Sequence, residues 1–130
     1  GRDYPTCWNG RPVTGAQCTG LCRATVARGD SDRGSAEENL GSSRLTDAGS
    51  FSICGAGSYG FAMVASGKLD IAIDIGLDPF DFAAPVAIVE GAGGSATDWR
   101  GRPLTLESQG RTLFLGNPDL LGSVVDLLQA

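Results

Sequence analysis

The sequence predicts an α/β fold, a layered and largely parallel or mixed sheet that is flanked by helices. Short β-prone runs alternate with helical patterns from about Arg23 onward, a rhythm typical of α/β layers. Hydrophobic residues make up 42% of the 130 residues and charged residues 19%, so the chain can build a packed core and disorder is not expected. We therefore expect one ordered domain over residues 1–130.

The first 22 residues are rich in turn formers and have little core of their own. Within them, Trp8–Val13 is typical of a hairpin turn between two short strands, because Asn9-Gly10 favours the tight turns of hairpins. The opening residues Gly1–Pro5 have no apolar stretch that would indicate a signal peptide. This opening suggests a chain that begins in the middle of a larger structure.

Nine elements are predicted after this opening. In chain order they are a strand at Arg23–Arg28, a helix from Ser35 to about Leu45, a strand at Phe51–Cys54, a helix at Tyr59–Ser66, a strand at Leu69–Ile75, a helix from Pro79 toward Gly91, a strand with Ala96–Thr97, a strand at Thr112–Leu115 and a last helix from Asn117. The segment 29–34 is predicted as a loop.

Capping and turn residues set the helix limits. Ser35 can cap a helix whose first turn holds Glu37 and Glu38, at the positive end of the helix dipole. Pro79 suits a first helical turn, and Asn117 precedes a proline in the same way. Two of the predicted helices are ended by glycine, one at Gly67 and the other at the Gly93-Gly94 pair.

The run Leu69–Ile75 alternates cleanly and therefore predicts a strand. Its two faces carry different residues: Leu69, Ile71, Ile73 and Ile75 on one, and Asp70, Ala72 and Asp74 on the other.

Composition excludes several classes of function. The chain has no histidine, which rules out a Ser-His-Asp triad, a Cys-His pair and histidine-ligated zinc. A net charge of -5, with Lys68 as the one lysine, makes nucleic-acid binding a poor expectation. No apolar run approaches the roughly 20 residues of a membrane helix. We expect neither nucleic acid nor membrane as a partner.

The four cysteines do not show the two tight pairs of a zinc site, because Cys7 and Cys54 stand apart from Cys18 and Cys22. A disulfide scaffold would be shorter and denser in cysteine. We expect free cysteines in or near the core, and with them a reducing, cytoplasmic compartment.

Charge and glycine concentrate between Leu69 and Gly94, which hold Asp70, Asp74, Asp78 and Asp81. Asp74 lies near the carboxyl end of a predicted strand, and ligand crevices of open α/β sheets form there. Asp81 lies near the start of the next helix, whose free N–H groups suit phosphate. Carboxylates in such a crevice suit Mg²⁺, which takes oxygen ligands and needs no histidine.

Structural roles also explain these residues. Asp78 and Asp81 could be helix caps or dipole partners, and Asp70 a turn residue or surface charge. Gly55-Ala56-Gly57 could let the backbone approach a ligand or could be a simple turn. Glu37 and Glu38 are typical of a solvated helix start, and Asp98 is expected to shape the turn to Gly101. A serine nucleophile is not expected because no base partner is visible.

Three segments together resemble the C-terminal signature of the inositol monophosphatase family, which includes histidinol-phosphate phosphatases. They are Pro79–Gly94, Thr97–Trp99 and Gly101–Leu104. This signature combines an aromatic-Asp pair, two small residues, an apolar helix and a Gly-Gly turn. Asn9–Pro12 also looks like the family's Asn-Gly-Arg-Pro hairpin. The resemblance covers nearly the whole chain.

The resemblance implies a Mg²⁺-dependent phosphomonoesterase whose substrate is a small phosphorylated polyol or amino alcohol. Asp81 matches the family's metal-ligating aspartate, and Asp74 matches an acidic position that contacts hydroxyl or amino groups of the substrate. Gly55, Ala56 and Gly57 match a loop beside the substrate. No catalytic residue is assigned to this chain.

Departures from the family pattern shape the expectation. The acidic motifs of the family's first half, which supply most metal ligands, do not occur here. Phe80 stands where Trp or Tyr is commoner, and Gly57 replaces an Asp of some histidinol-phosphate enzymes. The chain is therefore expected to be a C-terminal domain without its N-terminal metal-binding domain, inactive alone, with a homodimer left open. The alternatives are a free-standing, non-catalytic binding or assembly domain and an unrelated α/β module.

Overall fold

A computed structural model describes residues 3–30 and 33–130 of the chain. Seven strands follow one another as β1 (Cys7–Trp8), β2 (Arg11–Pro12), β3 (Thr25–Arg28), β4 (Phe51–Cys54), β5 (Ile71–Asp74), β6 (Ser95–Thr97) and β7 (Thr112–Leu115). The helices are α1 (Ala36–Ala48), α2 (Gly57–Ala65), α3 (Pro79–Gly91) and α4 (Leu121–Gln129), with 3-10 turns at Leu21–Arg23 and Pro118–Leu120.

The main sheet has five strands in the order β4-β3-β5-β7-β6. Strand β3 pairs in parallel with both β4 and β5, whereas β7 runs antiparallel to β5 and to β6. The parallel strands are joined by the crossover helices α1 and α2, as parallel pairing requires. The predicted α/β class is thus confirmed, and the sheet is mixed.

Helices cover both faces of the sheet, which divides the core in two. On one face, α1 and α4 pack Leu45 and Val124 against strand residues such as Ile71. On the other face, α2 and α3 pack against the opposite side of the strands, where the rings of Phe61 and Phe114 lie 4.5 Å apart between centroids. Burial on both faces explains why β5 and β7 are buried at every position.

The predicted alternation of residues 69–75 is correct for Ile71, Ile73 and Ile75, which share the core under α1 and α4. It is wrong for Leu69, which packs into the other core because the strand begins only at Ile71. Asp70 is also more than a turn residue or surface charge. Its Oδ2 accepts hydrogen bonds from the backbone N–H and the hydroxyl of Thr25, each at 2.8 Å, and so joins β5 to β3.

The capping chemistry read from the sequence is present. Ser35 caps α1 in a capping box with Glu38, and the helix continues past Leu45 to Ala48. The expectation of a solvated helix start is wrong for Glu38, because its side chain is only 17% exposed and pairs with Arg111. Asn117 accepts from the N–H of Asp119, which begins a 3-10 turn that leads into α4.

The N-terminal hairpin forms as predicted, with β1 and β2 antiparallel and Asn9 and Gly10 at positive φ of 50° and 76°. It is tied to the end of α3 by the N–H of Thr6, which donates to the carbonyl of Gly91 at 3.0 Å. All four strand residues of the hairpin are exposed, which agrees with a segment that has little core of its own.

The cysteines are free, as expected, but the expectation that they lie in or near the core is wrong for three of them. Cys7, Cys22 and Cys54 are exposed, since the first lies in the hairpin and the last on the edge strand β4. Cys18 is half-buried and packs against the core under α1 and α4. Among the described residues, no helix has the length and apolar character that crossing a bilayer requires.

Candidate active site

The carboxyl ends of β3 and β5 lie side by side at one edge of the sheet. From β3 the chain passes to α1 on one face, and from β5 it passes to α3 on the other. Adjacent parallel strands whose connections leave toward opposite faces open a crevice between their ends, where α/β proteins bind ligands. The fold therefore directs attention to the residues that follow these two strands.

A cavity of about 220 Å³ occupies this crevice. Four of the five predicted site residues line it: Asp74, Asp81, Gly55 and Gly57. Ala56 is not among its lining residues, because it precedes α2 and packs against the core between two glycines. The structure thus brings together residues that are up to 26 positions apart in the sequence, from the β4–α2 turn to the first turn of α3.

Asp74 is the buried acid of this cavity, with 8% of its surface exposed. Its Oδ1 accepts a hydrogen bond from the backbone N–H of Ile75 at 2.8 Å. Burial raises the pKa of the Asp74 carboxyl, and the charges of Asp30 and Asp81 act in the same direction. The hydrogen bond from Ile75 and the guanidinium of Arg33 oppose this rise in pKa.

Asp81 is the exposed acid of the cavity and lies in the first turn of α3. Its Oδ2 accepts from the backbone N–H of Asp78 at 3.0 Å, while its own N–H donates to the carbonyl of Asp78 at 2.8 Å. This arrangement makes Asp81 a helix-capping residue through one oxygen only. The other oxygen takes no part in that bond, so capping and ligand binding are compatible roles for this residue.

Gly55 and Gly57 shape the wall that connects β4 to α2. Both have a positive backbone φ, 78° at Gly55 and 51° at Gly57, and residues other than glycine rarely adopt such angles. A Cβ at Gly57 would meet nothing within 4 Å, so this glycine serves the backbone conformation and leaves the cavity open.

Sequence reasoning missed two charged residues of the cavity, Asp30 and Arg33. Both belong to the segment 29–34, which was predicted only as a loop. The rule that predicted Asp74, a charged residue at the carboxyl end of a strand, also fits Asp30, which lies two residues after the end of β3. What the sequence did not show is that β3 is the direct neighbour of β5.

The donors among the residues that the structure describes do not form a complete magnesium site. Mg²⁺ requires near-octahedral oxygen coordination. Across residues 3–30 and 33–130, no group of three or more histidine, cysteine, aspartate or glutamate side chains is arranged to hold a metal ion. Asp81 lines the cavity and can offer one carboxylate toward it.

A larger cleft, of about 780 Å³, lies between the start of α1 and the segment 98–111. Its walls mix acidic and basic side chains, among them Glu37, Arg100 and Glu107, and none of the predicted site residues lines it. Asp98 organises one wall, since its Oδ1 accepts from the N–H groups of Arg100 and Arg102, which confirms its expected role in this turn. The smaller cavity, at the strand ends, is the site that the fold supports.

The cavity lies at the strand ends of a mixed α/β domain, and comparison with known proteins identifies the family of this domain. The model of the inositol monophosphatase family matches residues 5–125. The chain belongs to the inositol monophosphatase family.

Several proteins are similar to this chain. The bifunctional phosphatase IMPL2 of Arabidopsis thaliana chloroplasts is 35% identical over 77% of this chain and 29% of its own length. A histidinol-phosphatase of Chlorobaculum parvum is 44% identical over 40% of this chain and 20% of its own length. An inositol monophosphatase from Zymomonas mobilis superimposes with a TM-score of 0.95 at 29% identity, over 98% of this chain and 51% of that one. The chain therefore spans about half of that enzyme, and less than a third of the two curated relatives.

Proposed function

We propose that this chain is the C-terminal half of a Mg²⁺-dependent phosphomonoesterase. Its substrate would be inositol phosphate or a similar small polyol or amino-alcohol phosphate, such as histidinol phosphate. The observation that carries the proposal is the cavity at the ends of β3 and β5, where Asp74 and Asp81 meet the glycine turn of residues 55–57. Membership of a family whose named relatives are phosphatases supports it.

The charge around the cavity supports a role for a divalent cation. Asp30, Asp74 and Asp81 face it with Arg33 as the one basic side chain among the described lining residues. A phosphate ester alone would be repelled by this excess of carboxylates, whereas a cation between ester and carboxylates would relieve the repulsion. In this proposal Asp81 is a metal ligand, and the bound metal would neutralise phosphate charge.

Asp74 has the complementary role in the proposal. A buried carboxylate that already accepts one backbone hydrogen bond has further acceptor capacity for a hydroxyl or ammonium group of the substrate. The backbone of Gly55, Ala56 and Gly57 would lie beside the substrate, with no side chain at either glycine to block it. These residues would bind and orient the ester, and none of them would be the attacking group.

The remaining metal ligands would come from an N-terminal domain, and this chain spans only 51% of the similar enzyme from Zymomonas mobilis, which leaves room for one. Helices α2 and α3 support such a domain, because each exposes large apolar side chains. Phe80 is 96% exposed there, and Tyr59 and Ile88 are exposed on the same helices. Contact with a further domain would bury these side chains.

The cysteines bear on the cellular compartment of the protein. Four free cysteines, three of them exposed, favour a reducing compartment, and we include a cytoplasmic location in the proposal. A homodimer is left open.

A second candidate function is a free-standing, non-catalytic domain used for binding or assembly. The observation that favours it is the absence of a complete set of metal donors among the described residues. The two candidates differ in whether the complete gene encodes the acidic motifs that supply the remaining ligands.

Phosphate release distinguishes the candidates. The protein expressed from its complete reading frame and the 130-residue chain would each be assayed with inositol phosphate, histidinol phosphate and other small polyol phosphates while Mg²⁺ is varied. We expect Mg²⁺-dependent release by the former and negligible release by the latter. Rates for the 130-residue chain near those of a full-length relative would overturn its predicted inactivity, and a complete protein without activity would favour the binding domain.

A further inference from the structure

We propose that Gly29 is a positioning residue for Asp74. Gly29 follows β3 directly, and by lacking a side chain it leaves the space that the Asp74 carboxylate occupies. This inference rests on the proposed function, which places that carboxylate against the substrate. Neither the family resemblance nor the sequence pattern had singled out Gly29.

The distances show how tightly this space is used. A Cβ built on Gly29 would lie 2.0 Å from Oδ1 of Asp74, 2.3 Å from its Cγ and 2.6 Å from its Oδ2. Non-bonded carbon and oxygen atoms attract at about 3.5–4.0 Å and repel strongly well inside that separation. Even alanine at position 29 would therefore force the carboxylate to move.

Backbone hydrogen bonds prevent an easy escape. The N–H of Gly29 donates to the carbonyl of Ile73 at 3.0 Å, so its backbone is fixed to β5 beside the very residue that it must accommodate. Asp74 is held from the other side, since its Oδ1 accepts from the N–H of Ile75 at 2.8 Å. A side chain at position 29 would thus have to break one of these bonds or turn the carboxylate away from its present direction.

The reason for glycine here differs from the reason at the other glycines of the cavity. Gly55 and Gly57 have positive φ, so a substitution there would strain the backbone turn. Gly29 is not among the positive-φ glycines, and its backbone conformation is open to other residues. Space for Asp74 is the requirement at position 29, which makes the effect of a substitution specific to that carboxylate.

The consequence for the proposed reaction is a change in substrate recognition. A displacement of about 1 Å in a group that orients a substrate can cost about a hundredfold in rate. Esters with a hydroxyl or amino group for Asp74 should lose most from Gly29→Ala. A simple alkyl phosphate, which offers no such group, should lose little.

A double-mutant cycle in the protein expressed from its complete reading frame tests this inference. The variants are Gly29→Ala, Asp74→Ala and the double variant, with Gly20→Ala as matched control, because a Cβ at Gly20 would meet nothing within 4 Å and its φ is an ordinary -143°. Each is assayed with the preferred polyol or amino-alcohol ester and with the alkyl phosphate. Melting temperatures are measured alongside.

We expect Gly29→Ala to lower kcat/KM for the preferred ester at least tenfold, mainly through KM, and to spare the alkyl phosphate. The double variant should match Asp74→Ala within about twofold, because residues that act through one another are not additive. Wild-type kinetics for Gly29→Ala, or single effects that multiply in the double variant, would overturn the inference.

The double-mutant cycle still gives a result if Gly29→Ala does not fold or if the wild-type protein is inactive. If Gly29→Ala does not fold, the double variant should recover the melting temperature of Asp74→Ala, and failure to recover it would overturn the inference. If the wild-type protein hydrolyses none of the esters, the proposed function fails. The melting temperatures then still decide whether Gly29 acts through Asp74.

Discussion

The side chain of Arg111 donates from Nε to Oε1 of Glu38 across 2.5 Å and joins residues that are 73 positions apart. Arg111 lies just before β7, and Glu38 lies in the first turn of α1. The same carboxylate accepts from the N–H of Ser35 through Oε2 at 2.7 Å. One side chain thus completes the cap of α1 and connects that helix to the sheet.

Substitutions at Arg111 and at Glu38 should lower the free energy of unfolding by different amounts. We expect Arg111→Met to lower the free energy of unfolding by about 0.5–1 kcal/mol, a small loss because the arginine is 40% exposed and its pairing is screened by solvent. Glu38→Gln should cost more, about 1–2 kcal/mol, since it also weakens a charge-assisted hydrogen bond to Ser35. Urea denaturation measures both, with exposed Glu37→Gln as control; equal losses for Arg111→Met and Glu38→Gln would contradict this assignment.

Stability should fall in acid, because two carboxylates are more acidic in the folded chain. The hydrogen bonds from Ser35 and Arg111 lower the pKa of Glu38, and at Asp98 the bonds from Arg102 and Arg100 outweigh burial and lower its pKa. A lowered pKa contributes stability that is present above the unfolded value and is lost as pH falls through the folded value.

We therefore expect the free energy of unfolding to decrease as the pH falls below about 5, where the unfolded carboxylates begin to take up protons. Asp74 acts with the opposite sign, since burial raises its pKa and protonation relieves the cost of burying its charge. A variant with Glu38→Gln and Asp98→Asn should show a flatter acid limb in denaturation measured from pH 7 to pH 3. An acid limb as steep as that of the wild type would contradict the assignment.

Asp81→Asn isolates the charge of the proposed metal ligand. An asparagine oxygen can still accept from the N–H of Asp78, so the cap of α3 and the melting temperature should be nearly unchanged. Activity of the complete enzyme should fall by orders of magnitude and its Mg²⁺ dependence should weaken, because a charged ligand is lost. Unchanged kinetics would leave Asp81 with a capping role alone.

Asp74→Ala should act on substrate choice. In the complete enzyme we expect the ratio of kcat/KM between esters with and without a neighbouring hydroxyl or amino group to drop at least tenfold, since the buried acceptor is removed. The Mg²⁺ concentration for half-maximal activity should change little. An effect on metal affinity alone would contradict the role assigned to Asp74.

Local chemistry was enough to predict much of this fold. The strands Phe51–Cys54 and Thr112–Leu115 begin and end where their apolar runs do, and Ser35 caps α1 as its hydroxyl predicts. Asp74 and Asp81 could be found because each lies next to a strand end or helix start that is visible in the sequence. Both line one cavity, and their roles in binding stay a prediction.

Properties that depend on pairing between distant strands were missed. Asp30 and Arg33 line the candidate cavity because β3 lies beside β5, and no local pattern shows that pairing. The same holds for Gly29, whose importance is a contact with Asp74 rather than a turn. Exposure of Cys54 likewise follows from the place of β4 at the edge of the sheet.

The central position of β5 has a consequence for how the chain folds. Its neighbour β3 lies far upstream, as the hydrogen bond between Thr25 and Asp70 across 45 positions shows, and its other neighbour, β7, follows only after α3 and β6. Non-local pairings slow folding, because long loops must close before the contacts form. The crevice at the strand ends exists only once β3 and β5 have paired, so a chain in which these two strands are apart lacks the cavity altogether.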